Sequence, residues 1–294
     1  MRRTHCQPGL QRGPAAAALP GPRTGAGPLP DPGPGPQAPV SRLLLLLTLA
    51  LTPAIVVAQT VLDYRVLERK PHSRDNFVQG LQIVDGDLWE STGGYGESRL
   101  LRYDFATGKL RDGRRLNPRL WGEGLVVVED RIFQLTWRAR AMLVYRRDSL
   151  EVEQVLRLPG EGWGITWNGT QLIQSDGSDK LFFMNREDAR ITRTLAVTAD
   201  GTPVYQLNEL EWIDGRIWAN VWKTDDIVII DPDTGKVESR LDLTGLLPDS
   251  DRLRGTDVLN GIAHNPADGA IWVTGKRWPW LFRIEPFERA DTAH

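Results

Sequence analysis

Cysteine is all but missing. The single one, Cys6, lies in a segment argued below to be absent from the mature protein, so disulfides and thiolate chemistry are unavailable to the folded chain. Histidine is scarce as well. Only His72, His264 and His294 fall downstream of that segment, and none stands in a His-x-x-His spacing. A metal centre of the usual zinc pattern is therefore not expected. The formal charge is −2, which excludes a basic field and with it a nucleic-acid partner. There is no helical period of any length, no nucleophilic serine elbow and no phosphate-binding loop. "GGYG" (93–96) lacks a following helix and reads as a loop between strands.

No apolar run reaches the roughly 20 residues needed to span a bilayer. The longest, Leu43 to Val57, follows Arg42 and ends on Val56 and Ala58, which fit the small-residue rule before a cleavage site. It reads as a secretory signal over 41–58, cut after Ala58, with a secreted or periplasmic product that keeps no stable membrane association. An uncleaved anchor is the alternative. Residues 1–40, as in "GPRTGAGPLPDPGPGPQAP", hold too little apolar surface to offset chain entropy and are expected to be a disordered extension. Such a preface to a signal is unusual, and translation starting near Val40 would remove it. Residues 59–294 form the folded domain.

Tryptophan is plentiful, with 11 copies, all downstream of residue 88. They lie within a unit that recurs five times. Its first strand reads "QGLQIV" (79–84), "EGLVVV" (123–128), "WGITWN" (163–168), "NELEWI" (208–213) and "NGIAHN" (260–265). A tight turn follows, at Gly86, Asp130, Gly169, Gly215 and Gly269. Asp-Gly and Asn-Gly turns are strong hairpin signals. The second strands are "LWEST", "IFQLTW", "LIQSDG", "IWANVW" and "IWVTGK", and third and fourth strands follow. The turns are 44, 39, 46 and 54 residues apart. Units of about 40–50 residues with four short strands are the blades of a propeller. The fold expected is all-β: a five-bladed β-propeller with four-stranded antiparallel blades. The fifth unit lacks a fourth strand, and "VLDYRVLER" (61–69) can supply it, closing the ring with an N-terminal strand.

Aligned on the turn, the repeats give two exceptional columns. At the start of the first strand stand Gln79, Glu123, Trp163, Asn208 and Asn260. At the end of the second stand Gly93, Trp137, Gly177, Trp222 and Lys276. Antiparallel pairing puts the start of one strand beside the end of the other, so both columns ring one opening. Equivalent positions elsewhere are apolar, and positions that break a repeat rule point to function. A channel filled by hydrogen-bonded polar groups is the structural alternative, and it suits Asn260 best.

With these residues in view, the chain resembles the glutamine cyclotransferase family of plant and bacterial type. The resemblance rests on "FVQGL" (77–81), "LWESTGGYGES" (88–98), "WGEGL" (121–125), "QLTW" (134–137), "GEGWG" (160–164), "LNELEW" (207–212), "IWANVW" (217–222), "VLNGIA" (258–263) and "VTGKRWP" (273–279), and spans about 63–286. Val78 and Trp121 depart from the family's usual residues, and neither position is expected to touch a catalytic group. The resemblance implies a propeller that converts N-terminal glutamine of peptides or proteins to pyroglutamate without cofactor or metal, acting as a monomer. It implies Glu123, Gln79 and Lys276 as catalytic groups, with Asn208, Trp137, Trp163 and Trp222 binding substrate. Cutting after Ala58 would expose Gln59 as a substrate in its own right. Two rivals remain: a non-catalytic propeller that binds peptides or sugars, and a metal-dependent propeller hydrolase. The second needs several converging carboxylates, whereas Glu161 and Glu209 stand one or two places out of register.

Overall fold

The computed structural model describes residues 59–288 and the isolated positions 27, 31, 33 and 35. The expected leader, its cut site and nearly all of the expected extension lie outside the described residues.

The described chain is built of strands, with one short 3-10 turn at Asp249–Asp251. It opens with β1 (Thr60–Pro71). Then come β2 (Val78–Val84), β3 (Asp87–Thr92), β4 (Arg99–Asp104) and β5 (Leu110–Arg115), paired in that order as one antiparallel sheet. A second such sheet holds β6 (Gly122–Val128), β7 (Arg131–Thr136), β8 (Ala141–Arg146) and β9 (Val152–Arg157). A third holds β10 (Ile165–Trp167), β11 (Leu172–Ser175), β12 (Lys180–Met184) and β13 (Ile191–Ala196). A two-residue pair, β14 (Thr198–Ala199) and β15 (Thr202–Pro203), leads on. Last come β16 (Leu207–Ile213), β17 (Arg216–Val221), β18 (Asp226–Ile230), β19 (Val237–Asp242), β20 (Leu259–Asn265), β21 (Ala270–Gly275) and β22 (Trp280–Glu288).

The turns follow from their residues. Asp85 and Gly86, Gly169, Asp214 and Gly215, and Gly269 all take positive φ, as Asp-Gly and Asn-Gly hairpins require. In the second unit Glu129 (φ 55) takes that conformation.

The last seven strands and β1 form one eight-stranded sheet in the order β16-β17-β18-β19-β1-β22-β21-β20. The fourth strand missing from the last unit is thus β1, antiparallel to β22 from Leu62↔Glu288 to Pro71↔Trp280. One pairing is additional to the sequence reading. Thr60 to Leu62 also run parallel to Ser239 to Leu241 of β19, so β1 joins two four-stranded units.

Apolar cores lie between successive units. Trp89 and Leu100 of the first pack on Leu125 and Leu143 of the second. Phe133 and Met142 of the second pack on Ile165 and Leu172 of the third. Phe183 of the third meets Leu210 and Ile217 of the fourth. Ile227 and Ile229 of the fourth meet Leu259 and Phe282 of the fifth. Trp272 and Leu281 of the fifth meet Val78 and Leu81 of the first. Each such Leu, Ile or Phe side chain stabilises the fold by about 1.5–3 kcal/mol on burial. The first strands are neighbours in the same cycle: β2 beside β6, then β10, β16, β20 and β2 again.

Candidate active site

Four of the five first strands slip register at one place. In β2 the slip lies between Val78 and Gly80, in β6 between Gly122 and Leu125, in β16 between Leu207 and Leu210, and in β20 between Leu259 and Ile262. The residues left out of the ladder include Gln79, Glu123, Asn208 and Asn260. A bulge bends its strand and re-aims the unpaired side chain, and bulges recur beside active sites. In the third unit β10 begins only at Ile165, so Trp163 lies ahead of the strand. The first column of the repeat is therefore the set of residues released from pairing.

The freed backbone groups find partners in the neighbouring units. Gly124 N–H donates to the Trp163 carbonyl at 2.7 Å, and Gly261 N–H to Asn220 Oδ1 at 2.9 Å. Ser91 Oγ donates to the Glu123 carbonyl, and Ser175 Oγ to that of Asn208 at 2.6 Å. Strands this close leave no room for a side chain. A methyl on Gly164 would lie 1.9 Å from the Asn208 carbonyl oxygen. The glycine that follows the site residue in "QG", "EG" and "WG" is a requirement of this approach, whereas Gly261 of "NG" is required by its positive φ of +119.

The second column arrives by backbone pairing. Gly93, Trp137, Trp222 and Lys276 donate their N–H to the carbonyls of Phe77, Trp121, Gln206 and Val258, at 2.8, 3.1, 2.9 and 2.9 Å. Its two glycines make space for aromatic neighbours. A methyl on Gly93 would meet Trp121 Nε1 at 2.5 Å, and one on Gly177 would meet the Trp163 ring at 2.7 Å.

Together the columns enclose a cavity of about 250 Å³. All seven expected site residues line it: Gln79, Glu123, Lys276, Asn208, Trp137, Trp163 and Trp222. Phe77, Trp121 and Asp257 complete the lining and were missed from sequence. Trp121 belongs to the wall as well. Its ring is edge-on to Trp137 at 5.7 Å and to Phe77 at 5.9 Å. Phe77 and Trp121 each stand two residues ahead of a first-column member, and the period of two along a strand was the available signal. Asp257 sits on a loop with no equivalent in the other repeats, so no signal marked it.

Glu123 is buried, and no hydrogen bond reaches its carboxylate among the described residues. Burial holds its carboxyl well above the usual carboxylate range; Lys276 opposes this and Glu161 adds to it. Burial likewise pushes the Lys276 ammonium below its ordinary value, against the pull of Glu123 and Asp257. The Lys276 Nζ lies 5.0 Å over the Phe77 ring. Asn208 lines the cavity, and its Oδ1 is buried without a partner. Asn260 Nδ2 donates to the Val78 carbonyl at 3.0 Å and lies 3.5 Å from Gln79 Oε1. That contact turns the Gln79 amide so that its Nε2 donors are left for the cavity. Trp163 and Trp222 meet edge-on at 5.4 Å.

The two carboxylates read as out of register have other tasks. Glu161 accepts from two indoles of the wall. Glu209 takes Leu81 N–H at 3.2 Å and Ile262 N–H at 2.9 Å, bracing β16 against β2 and β20. The His72 side chain is buried, its Nδ1 against the Trp278 carbonyl at 3.0 Å and its Nε2 against Glu90 at 3.2 Å, away from the cavity lining. Among the described residues no group of three or more metal-ligating side chains converges.

Fold and site together define an all-β protein whose inner strand ends converge on one aromatic cup around a buried acid, a buried amine and two amides. Such a set suits acid–base chemistry on a small chain end. A family model described as glutamine cyclotransferase matches residues 41–286. A glutaminyl-peptide cyclotransferase of Arabidopsis thaliana is 36% identical over 229 residues, 76% of this chain and 71% of the relative. The crystal structure of a glutaminyl cyclase from Myxococcus xanthus superposes with a TM-score of 0.73 at 32% identity, over 79% of this chain and 99% of that one. The chain belongs to the glutamine cyclotransferase family.

Proposed function

We propose that this protein is a glutaminyl-peptide cyclotransferase, an aminoacyltransferase that closes the N-terminal glutamine of peptides to pyroglutamate and releases ammonia. The fold that carries it is a five-bladed β-propeller. Supporting this are the cyclic order of the five first strands and the five apolar layers between units. The observation that carries the activity is the bulge at Glu123, which sets one buried carboxyl in a cup of aromatic faces beside an unpartnered amide acceptor.

The chemistry follows from the groups present. The α-amine of the substrate attacks its own side-chain amide carbon, a five-membered lactam forms, and the C–N bond to the departing nitrogen breaks. One proton leaves the amine and one is needed by the leaving group, so a single carboxylate serves both. Glu123 is that shuttle; its raised pKa brings it nearer the working pH and so makes it both a better acceptor and a ready donor. The Nε2 donors of Gln79 and the Lys276 ammonium stabilise the oxyanion of the tetrahedral intermediate. Asn208 Oδ1 accepts from the substrate backbone. Trp137, Trp163, Trp222 and Trp121 hold the curled side chain near attack distance and exclude the water that would hydrolyse the amide. The leader-like segment before Gln59 supports export, to the periplasm or outside the cell.

Ammonia release from a glutamine-initiated dipeptide, followed with and without chelator, tests the reading. Release that survives chelator is expected; its absence from the wild type would reject the activity, and its loss on chelation would reject the metal-free route. Glu123→Gln should lower kcat by at least about a hundredfold, the scale of general acid–base catalysis, while dipeptide binding by calorimetry persists. A variant that keeps full activity would favour a role in binding alone.

A further inference from the structure

Glu161 stands outside both columns and outside the cavity lining. Its Oε2 accepts the indole N–H of Trp137 at 2.8 Å and that of Trp163 at 3.2 Å. Those two indoles come from different sheets. Trp137 follows β7, and Trp163 precedes β10. Oε1 lies 3.7 Å from Arg138 Nε, and the Arg138 guanidinium covers the Trp137 ring at 4.0 Å. From these two rings the contacts run on, to Trp121 at 5.7 Å and to Trp222 at 5.4 Å. One carboxylate thus sits at the joint of the whole aromatic wall.

Physical chemistry gives this joint a purpose. The indole N–H is a donor only, and one left bare against neighbouring rings is costly. Two indoles that turn their faces to a common cavity bring their N–H edges together behind it, and a shared acceptor is what makes that arrangement stable. A charged acceptor roughly doubles the strength of each bond. A rotation of either ring changes the width of the cup. Where reacting groups must be held within a few tenths of an ångström, such changes cost rate and affinity.

We propose that Glu161 is a positioning residue for the cyclisation, its one oxygen locking Trp137 and Trp163 into the cup that curls the glutamine side chain. This rests on the cavity being the glutamine pocket. The same charge adds to burial in raising the pKa of the Glu123 carboxyl.

Two variants separate the roles. In Glu161→Gln the amide carbonyl can still accept both N–H groups while the charge is gone. In Glu161→Ala bonds and charge are both lost. KM for a glutamine dipeptide should rise about tenfold in Glu161→Ala and stay within about threefold in Glu161→Gln, since a tenfold change matches the loss of a hydrogen bond or two. The acid limb of the pH profile of kcat/KM should move to lower pH in both variants alike, because removing a neighbouring negative charge lets Glu123 release its proton sooner. The near-UV circular dichroism of the tryptophans should change in Glu161→Ala and not in Glu161→Gln. Combining Glu161→Ala with Trp163→Phe should cost less than the sum of the two singles, as for groups that share a bond. Equal KM in Glu161→Ala and wild type, equal damage in both Glu161 variants, or strict additivity in the double variant would each overturn the proposal. An inactive wild type would reject the glutamine pocket instead, and the dichroism of the two variants would still decide whether Glu161 locks the rings.

Discussion

Gly177 occupies a second-column position where the neighbouring repeats carry Trp137 and Trp222, and its replacement separates two costs. Its backbone is left-handed (φ +81), and a methyl there would lie 2.7 Å from the Trp163 ring. Gly169, in the hairpin between β10 and β11, is also left-handed (φ +93) but faces open space. Gly169→Ala should therefore lose only the backbone term, about 1–2 kcal/mol of stability, with kcat/KM intact. Gly177→Ala should lose at least as much stability and also kcat/KM, because Trp163 must leave the wall. Urea unfolding and dipeptide kinetics on the pair check this; equal kinetics would show that the space behind Trp163 is unimportant. The example also shows what the sequence could reveal. Gln79, Glu123 and Asn208 stood out because the repeats align, and the coordinates now give meaning to the alternation of Gly93 and Gly177 with Trp137 and Trp222 in the second column. The reason for that alternation, a tryptophan folded back over each glycine, needs coordinates. So does the place of Trp121 in the wall, since a strand residue two positions from the column could equally face the core.

β16 breaks the pattern of the first strands by carrying Glu209 where the other four have glycine and by adding Glu211 behind it. Both are buried. Glu211 accepts His264 N–H at 3.0 Å, and burial pushes its carboxyl up to about 8. Glu209 is raised well above the usual range by burial, then by Glu211, against its two backbone donors. A folded-state pKa above the unfolded value near 4.3 means that the folded protein holds the proton more tightly. The resulting stability is fully present below the unfolded pKa and is lost as pH rises toward the folded one. The unfolding free energy measured in urea should therefore fall between about pH 5 and about pH 8, by about 1.4 kcal/mol per pH unit for Glu211. Glu211→Gln keeps a carbonyl for His264 N–H and removes the titration, so it should flatten that slope and raise stability at pH 8. A slope unchanged in the variant would assign the dependence to other groups. Elements of this kind were only half legible. The five hairpins follow from alternation and turn residues, whereas the β14–β15 pair is two residues a side, too short for any periodicity to show.

β1 decides whether the five units make one molecule. It is remote in sequence from both neighbours, β19 and β22, and it completes the last unit while its first residues bridge to the fourth. Leu62 and Tyr64 cover the core between those two units. The sequence foretold the pairing with β22 because the fifth repeat ends one strand short; the parallel contact with β19 had no such signature. Without β1, the N–H and C=O groups of β22 would form an open edge, and that core would meet water. Since closure needs the two ends of the domain, its contacts are the most non-local in the fold and should form late. Removal through Pro71 should abolish cooperative unfolding or drive aggregation, and it should take the activity with it although no cavity residue is lost. Adding a synthetic peptide of residues 59–71 to the shortened protein should restore both in proportion to the peptide bound. A shortened protein that melts cooperatively at the original temperature would mean that the ring holds without its closing strand.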